Sequence, residues 1–243
     1  MRDRLILLPG WGLGTAPLEP LAEALRGLDQ RLRVQIEPLP PLDSRDPEAW
    51  LDELDANLPE DAWLGGWSLG GMLATELAAR RGERCSGLLT LASNPRFVAE
   101  AQWPAAMPAE TFAAFRQGCA LDARATLKRF ALLCAQGAGE ARGLSRQLLG
   151  AAPHEQPETL LMGLDLLAAL DTRAALQRFV GPQLHLFAGG DALVPAEAAG
   201  ALLNLLPDVE IGLLETASHA FVLERPHEVA AAIQAFLHEA GDD

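Results

Sequence analysis

A serine, an aspartate and a histidine in this chain stand where acyl transfer would need them. Ser68 is the centre of Gly66-Trp67-Ser68-Leu69-Gly70, directly after a short apolar run and at the start of a helix-length pattern. A serine held in a sharp strand-to-helix turn has strained backbone angles, and a side chain two residues to either side would collide with the adjoining strand or helix. Glycine at positions 66 and 70 leaves that space. The same turn puts Ser68 at a helix N-terminus, whose free amides and dipole favour negative charge developing on a substrate oxygen.

A hydroxyl is a weak nucleophile at neutral pH and needs a base within hydrogen-bond reach, itself oriented by a carboxylate. Of the five histidines, His185 lies inside an apolar strand pattern, His154 in a helical region, and His227 and His238 in the last helix. Those four read as core filler or solvated surface. His219 differs, because Glu215-Thr-Ala-Ser-His219-Ala-Phe221 is a short loop after a strand pattern, from which an imidazole can lean over the end of a sheet. Asp191 ends another such loop, Gly189-Gly190-Asp191, whereas the loop after the run 87–92 reads Ser93-Asn94-Pro95 and offers no carboxylate. The expected triad is therefore Ser68, Asp191 and His219 in that chain order. Two amides should receive the oxyanion: that of Leu69, following the nucleophile, and that of Trp11 in Pro9-Gly10-Trp11-Gly12, whose glycines let backbone approach a substrate. The Trp11 indole would then be free to wall an acyl pocket.

Loops that converge in this way must be carried by a sheet. Short apolar runs at Leu5–Leu8, Ala62–Leu64, Gly87–Ala92 and Gln183–Ala188 are bounded by Gly or Pro and read as buried strands, with Val34–Ile36 and Val209–Leu214 adding two more. Helix-length patterns lie between them at 17–28, 47–58, 70–81, 195–206 and 226–239, each with Pro or Gly near its first turn. Strand and helix alternate, which predicts an α/β fold with a mostly parallel sheet and helices on both faces. From Phe97 to Leu170 the alternation stops and the pattern reads as helical throughout. The expected organisation is a core of residues 1–96 and 171–243, with a helical cap at 97–170 over the C-terminal edge of the sheet, where open α/β sheets bind ligands.

The chain has 243 residues, 49% of them hydrophobic, enough for a single domain with its own core. Its 33 acidic residues outweigh 19 basic ones, for a net charge of -14, the opposite of what a nucleic-acid or anionic-membrane binder requires. The three cysteines are scattered and show neither a disulfide frame nor metal-ligand spacing, so no metal or other cofactor is expected. No apolar stretch approaches the length of a membrane span, and the four apolar residues near the N-terminus are too few for a secretory signal. These features lead to the expectation of a cytoplasmic, monomeric protein.

The elbow Gly66-Trp-Ser-Leu-Gly-Gly71, the Gly10-Trp-Gly12 loop, Asp191 in Gly-Asp-Ala-Leu-Val-Pro195 and the final Ser-His219-Ala-Phe resemble the α/β-hydrolase superfamily over nearly the whole chain. More narrowly, Trp11, Trp67, Leu91-Ala-Ser-Asn-Pro-Arg96 with Trp103-Pro104, and Lys128-Arg-Phe-Ala-Leu132 are similar to the pimeloyl-[acyl-carrier protein] methyl ester esterase family of biotin synthesis. That resemblance implies a serine esterase that removes the methyl group from a carrier-bound pimeloyl chain. It implies Ser68 as nucleophile, His219 as base, Asp191 as its partner and the Trp11 and Leu69 amides as oxyanion donors. It also aligns Phe130, Ala131, Leu132, Leu133 and Cys134 with the family's substrate-contacting cap helix. One departure is visible: the family's His-Gly before the oxyanion loop is Pro9-Gly10 here.

An acyl carrier protein is strongly acidic, so a chain of charge -14 needs a local patch of the opposite sign to receive it. Residues 110–150 carry six basic side chains against three acidic ones and include Lys128, the only lysine. Lys128, Arg129, Arg142 and Arg146 are the expected carrier contacts, and Arg142 and Arg146 lie one helical turn apart. Two rival functions share the same residues: a broad carboxylesterase, thioesterase or carbon-carbon bond hydrolase on small free substrates, and a hydrolase-fold binding protein without turnover.

Overall fold

In the computed structural model, which describes residues 4–41 and 44–242, the apolar runs form one sheet. Its strands are β1 (Arg4–Leu8), β2 (Arg33–Ile36), β3 (Ala62–Trp67), β4 (Cys85–Leu91), β5 (Gln183–Ala188) and β6 (Glu210–Leu214). They lie in the order β2-β1-β3-β4-β5-β6, and every neighbouring pair is parallel. The central strands β3 and β5 are buried along their whole length, whereas the edge strands β2 and β6 alternate with exposed positions. The chain leaves β1 for the edge at β2 and returns to the other side of β1 at β3. That reversal opens a crevice at the C-terminal ends of β1 and β3, where parallel sheets place ligands. The Gly10–Gly14 loop and Ser68 follow those two strand ends.

The helices are α1 (Glu19–Leu28), α2 (Pro47–Asn57), α3 (Leu69–Arg81), α4 (Ala109–Leu121), α5 (Ala123–Ala135), α6 (Ala141–Ala151), α7 (Pro157–Ala169), α8 (Arg173–Arg178), α9 (Glu197–Leu205), α10 (Phe221–Glu224) and α11 (Pro226–Asp242). Their starts follow local chemistry. Asp46 accepts from the Glu48 amide with Pro47 in the first turn of α2, and Asp122 accepts from the Ala125 amide to start α5. Helix α3 packs behind β3 and β4, and α1 lies against α11.

Helices α4 to α7 belong to a segment inserted between β4 and β5. Its two ends meet: Arg96 and Asp171 form an antiparallel bridge, and the Thr172 amide and hydroxyl both donate to the Pro95 carbonyl, at 2.9 and 3.1 Å. Arg96, Glu100, Asp171 and Arg173 form a half-buried ion cluster around that neck.

Three sequence expectations need correction. β3 does not end at Leu64 but continues through Gly65 and Gly66 to Trp67. Pairing with strands on both sides overrides the weak strand preference of glycine, and a Cβ at Gly65 would come within 2.9 Å of Leu7 Cδ2. The inserted segment is not helical throughout, since residues before α4 form an irregular stretch closed by the bridges Val98↔Met107 and Glu100↔Trp103. Pro104 and Pro108 interrupt helical bonding there. Helices α8 and α10 are short elements that the sequence pattern did not single out.

Candidate active site

The turn after β3 has the geometry that its glycines require. Ser68 adopts φ 55 and ψ -120, a conformation that L side chains rarely take. A Cβ at Gly66 would lie 2.1 Å from the Gly70 carbonyl carbon, and one at Gly70 would lie 2.2 Å from the Leu8 carbonyl oxygen. Larger residues at either position would push α3 or β1 away. The elbow is held from below by the Ser68 amide donating to Leu91 and by the Ser93 hydroxyl donating to the Ser68 carbonyl, both at 2.9 Å.

Asp191 and His219 come together from the loops after β5 and β6. His219 Nδ1 and Asp191 Oδ2 are 2.7 Å apart, and both side chains are almost fully buried. The other carboxylate oxygen accepts from the Leu193 and Val194 amides at 2.7 and 2.9 Å, so each Asp191 oxygen is engaged. With Nδ1 directed at a carboxylate, the lone pair left for proton transfer is on Nε2. That atom is buried and has no hydrogen-bond partner among the described residues. An orphaned buried nitrogen is costly to leave unpaired, and it suits a base awaiting a hydroxyl proton. Ser68 Oγ and His219 Nε2 do not form a hydrogen bond here; such pairs are often loose until substrate is present.

Trp67, immediately before Ser68, ties the elbow to the loop that carries His219. Its Nε1 donates to the His219 carbonyl at 2.9 Å, and the indole and imidazole centroids are 5.6 Å apart. The inserted segment adds two further ties. The Ala220 amide donates to the Cys134 carbonyl at 3.1 Å, and a Cβ at Gly137, where φ is 94, would lie 2.4 Å from the Gly190 carbonyl oxygen. Residue spacing alone does not reveal Gly137 and Gly190 as contact points. The signal available was only that each lies in a glycine-rich turn.

Trp11 and Leu69 line a cavity of about 480 Å³ bounded on its far side by Pro38–Pro41 and by Pro153, His154 and Gly163 of the inserted segment. Among the described residues neither of their main-chain amides donates to the backbone. A larger cavity, about 780 Å³, lies at the opposite end of the strands beside Arg4, Glu60 and Val180, away from all of these groups.

The expected helix contacts divide by periodicity. On α5, Phe130, Ala131 and Cys134 are buried and Leu133 is half-buried, but Leu132 is 52% exposed and faces away. Five successive residues cannot share one face of a helix, so Leu132 is not brought to the site. Phe130 meets the Trp11 ring at 4.9 Å, and the Cys134 thiol is pushed well up by burial and by the nearby Asp191 charge. Lys128, Arg129, Arg142 and Arg146 are exposed, and none forms an ion pair among the described residues. Arg116, counted with them in the charge balance, is engaged by Asp165. His185 is a core residue, bonded through Nδ1 to the Thr90 hydroxyl at 2.7 Å.

Among the described residues no group of three or more His, Cys, Asp or Glu side chains is placed to hold a metal, and no helix is long and apolar enough to cross a membrane. The sequence matches the model of the alpha/beta hydrolase family over residues 5–232.

The chain belongs to the alpha/beta hydrolase family.

Within that family it is 38% identical to a pimeloyl-[acyl-carrier protein] methyl ester esterase of Aromatoleum aromaticum, over 96% of this chain and 97% of the relative. It is also 38% identical to the biotin biosynthesis bifunctional protein BioHC of Teredinibacter turnerae, over 98% of this chain and 45% of that protein. The chain thus spans about half the length of the bifunctional relatives it matches. Among solved structures, a bromoperoxidase from Bacillus anthracis superposes with a TM-score of 0.80 at 19% identity, over 98% of this chain and 92% of that one. At that identity the superposition speaks for the fold alone.

Proposed function

We propose that this chain is a serine esterase that hydrolyses the methyl ester of a pimeloyl chain carried on an acyl carrier protein, with Ser68, His219 and Asp191 as its triad. The observation that supports the chemistry is the buried Asp191-His219 pair, with an unpaired Nε2, tied through the Trp67 indole to the residue before the strained Ser68 turn. The substrate class rests on full-length similarity to an esterase of that name.

In this reading Ser68 Oγ attacks the ester carbonyl and passes its proton to His219 Nε2, while Asp191 stabilises the imidazolium and fixes its ring. The Trp11 and Leu69 amides receive the oxyanion. Collapse of the tetrahedral adduct breaks the bond to the methoxy oxygen, which takes the proton from His219 and leaves as methanol. Water then gives a proton to His219 and attacks the acyl-enzyme, releasing the carboxylic acid and restoring Ser68. Residues 97–170 act as a cap over the crevice. Lys128, Arg129, Arg142 and Arg146, exposed and without ion-pair partners among the described residues, offer the acidic carrier a landing patch.

The test compares kcat/KM for carrier-bound pimeloyl methyl ester with that for the same ester without carrier. A strong preference for the carrier-bound form supports the proposal; equal values assign the chain to small free esters instead. Labelling of Ser68 by a fluorophosphonate separates either esterase from a fold that only binds.

A further inference from the structure

Trp11 belongs to two parts of the molecule at once. It lines the cavity beside Leu69, but its indole is embedded in the inserted segment. Nε1 donates to the Leu160 carbonyl of α7 over 2.8 Å in a buried bond. The ring packs edge-on against Phe130 of α5 at 4.9 Å and against Phe115 of α4 at 5.8 Å. On α7, one turn after Leu160, a Cβ at Gly163 would lie 2.7 Å from Trp11 Cδ1 and 3.0 Å from Nε1. The rest of the loop is seated in the same way: a Cβ at Gly12 would meet Leu127 Cδ1 at 2.9 Å, and one at Gly14 would meet Pro153 Cδ at 2.9 Å.

A tryptophan has only two side-chain torsions, so an indole held at three points leaves little freedom at its own Cα and amide. An oxyanion donor acts only within a narrow distance of the developing charge. We infer that Gly163, Leu160 and Phe130 are positioning residues for turnover: through the Trp11 indole, the inserted segment sets where the Trp11 amide points. This rests on the reading of that amide as an oxyanion donor. Its consequence is that any movement lifting α5 and α7 off the core also withdraws the donor, so an ester is cleaved only beneath a seated cap.

The test uses two variants of the full chain and a small ester, p-nitrophenyl butyrate, with turnover normalised to Ser68 titrated by a fluorophosphonate. Gly163→Ala places a methyl group against the indole; Trp11→Phe removes the Nε1 donor while leaving an aromatic ring and the backbone amide. Both should lower kcat by about 10- to 100-fold, a fraction of the loss expected for a missing donor, with KM nearly unchanged. Binding of butylboronic acid, which mimics the tetrahedral adduct, should weaken by the same factor, whereas inhibition by butyrate should not change. Gly143→Ala on α6, where an added Cβ meets nothing within 4 Å, should keep wild-type turnover. Wild-type kcat per titrated site in Trp11→Phe, or a change in KM or melting temperature alone, would overturn the inference, because a merely structural clamp behaves that way. Should Gly163→Ala not fold, Trp11→Phe decides by itself. A wild-type protein that neither hydrolyses the ester nor labels at Ser68 would instead sink the esterase proposal on which this one stands.

Discussion

The indole of Trp67 donates to the main-chain carbonyl of His219 over 2.9 Å, joining the residue before the proposed nucleophile to the proposed base. The bond is buried and joins the last residue of β3 to the loop after β6. Trp67→Phe keeps most of the ring but leaves that carbonyl unpaired, which should cost about 1 to 3 kcal/mol of stability. It should also lower kcat more than it raises KM, because the imidazole loses a support. Denaturant titration and steady-state kinetics on one preparation check both effects; an unaffected kcat would reduce Trp67 to a packing residue.

Ser68→Ala should abolish turnover by roughly 10⁴- to 10⁶-fold with the fold intact. Ser68→Gly separates strain from chemistry. Position 68 has φ 55, so glycine should be equally inactive yet more stable than the alanine variant by about 1 kcal/mol. Comparing urea midpoints of the two variants measures this. A glycine variant less stable than alanine would mean that the turn stores no such strain.

His185 supplies a pH dependence unrelated to turnover. Burial pushes its imidazole down to about 3, against about 6.5 in an unfolded chain. Because the unfolded chain takes up this proton first, the associated stability is complete above pH 6.5. It falls by up to roughly 1.4 kcal/mol per unit as pH drops from 6.5 towards 3. His185→Gln should flatten that part of the stability curve between pH 7 and 4. A slope unchanged by the substitution would assign the acid sensitivity to other groups.

Reversing Arg142 and Arg146 to Glu should slow capture of the carrier-bound ester while sparing hydrolysis of a small free ester, because steering by surface charge acts mainly on association. Added salt should mimic the reversal for the carrier-bound substrate alone, as expected for exposed charges with a screening length of about 8 Å at physiological ionic strength. Equal losses on both substrates would identify the two arginines as props of the inserted segment. No loss on either would leave them an ordinary solvated helix face.

Much of the scaffold was legible because it is local. The run Gln183–Ala188 was read with both ends correct, since β-branching is not needed where six successive residues are buried between two strands. Gly66 and Gly70 announced the elbow by sterics that any sequence would have to obey. What escaped was whatever depended on distant partners. Gly65 and Gly66 read as the end of a strand until β1 and β4 are seen on either side. The contiguous stretch Phe130–Cys134 hid the outward turn of Leu132, and Arg116 looked like a free charge until Asp165 was found beside it. The bonds from Trp11 to Leu160 and from Trp67 to His219 each join residues about 150 positions apart, a relationship that no spacing rule contains.

The neck at Arg96 and Asp171 bears on how the chain assembles and how it can vary. Joining the ends of a flexible loop as long as 97–170 costs roughly 4 kcal/mol of chain entropy, and here the closure is made just after the C-terminal end of β4 by the Pro95-Thr172 bonds and the ion cluster. The inserted segment thus leaves and rejoins the core at one point, before α8 carries the chain back to the start of β5. Helices can therefore be lengthened, shortened or exchanged between those two residues without moving a strand. Such a joint lets selection rewrite the inserted helices while the six strands keep their register, provided that whatever the Trp11 indole leans on is kept.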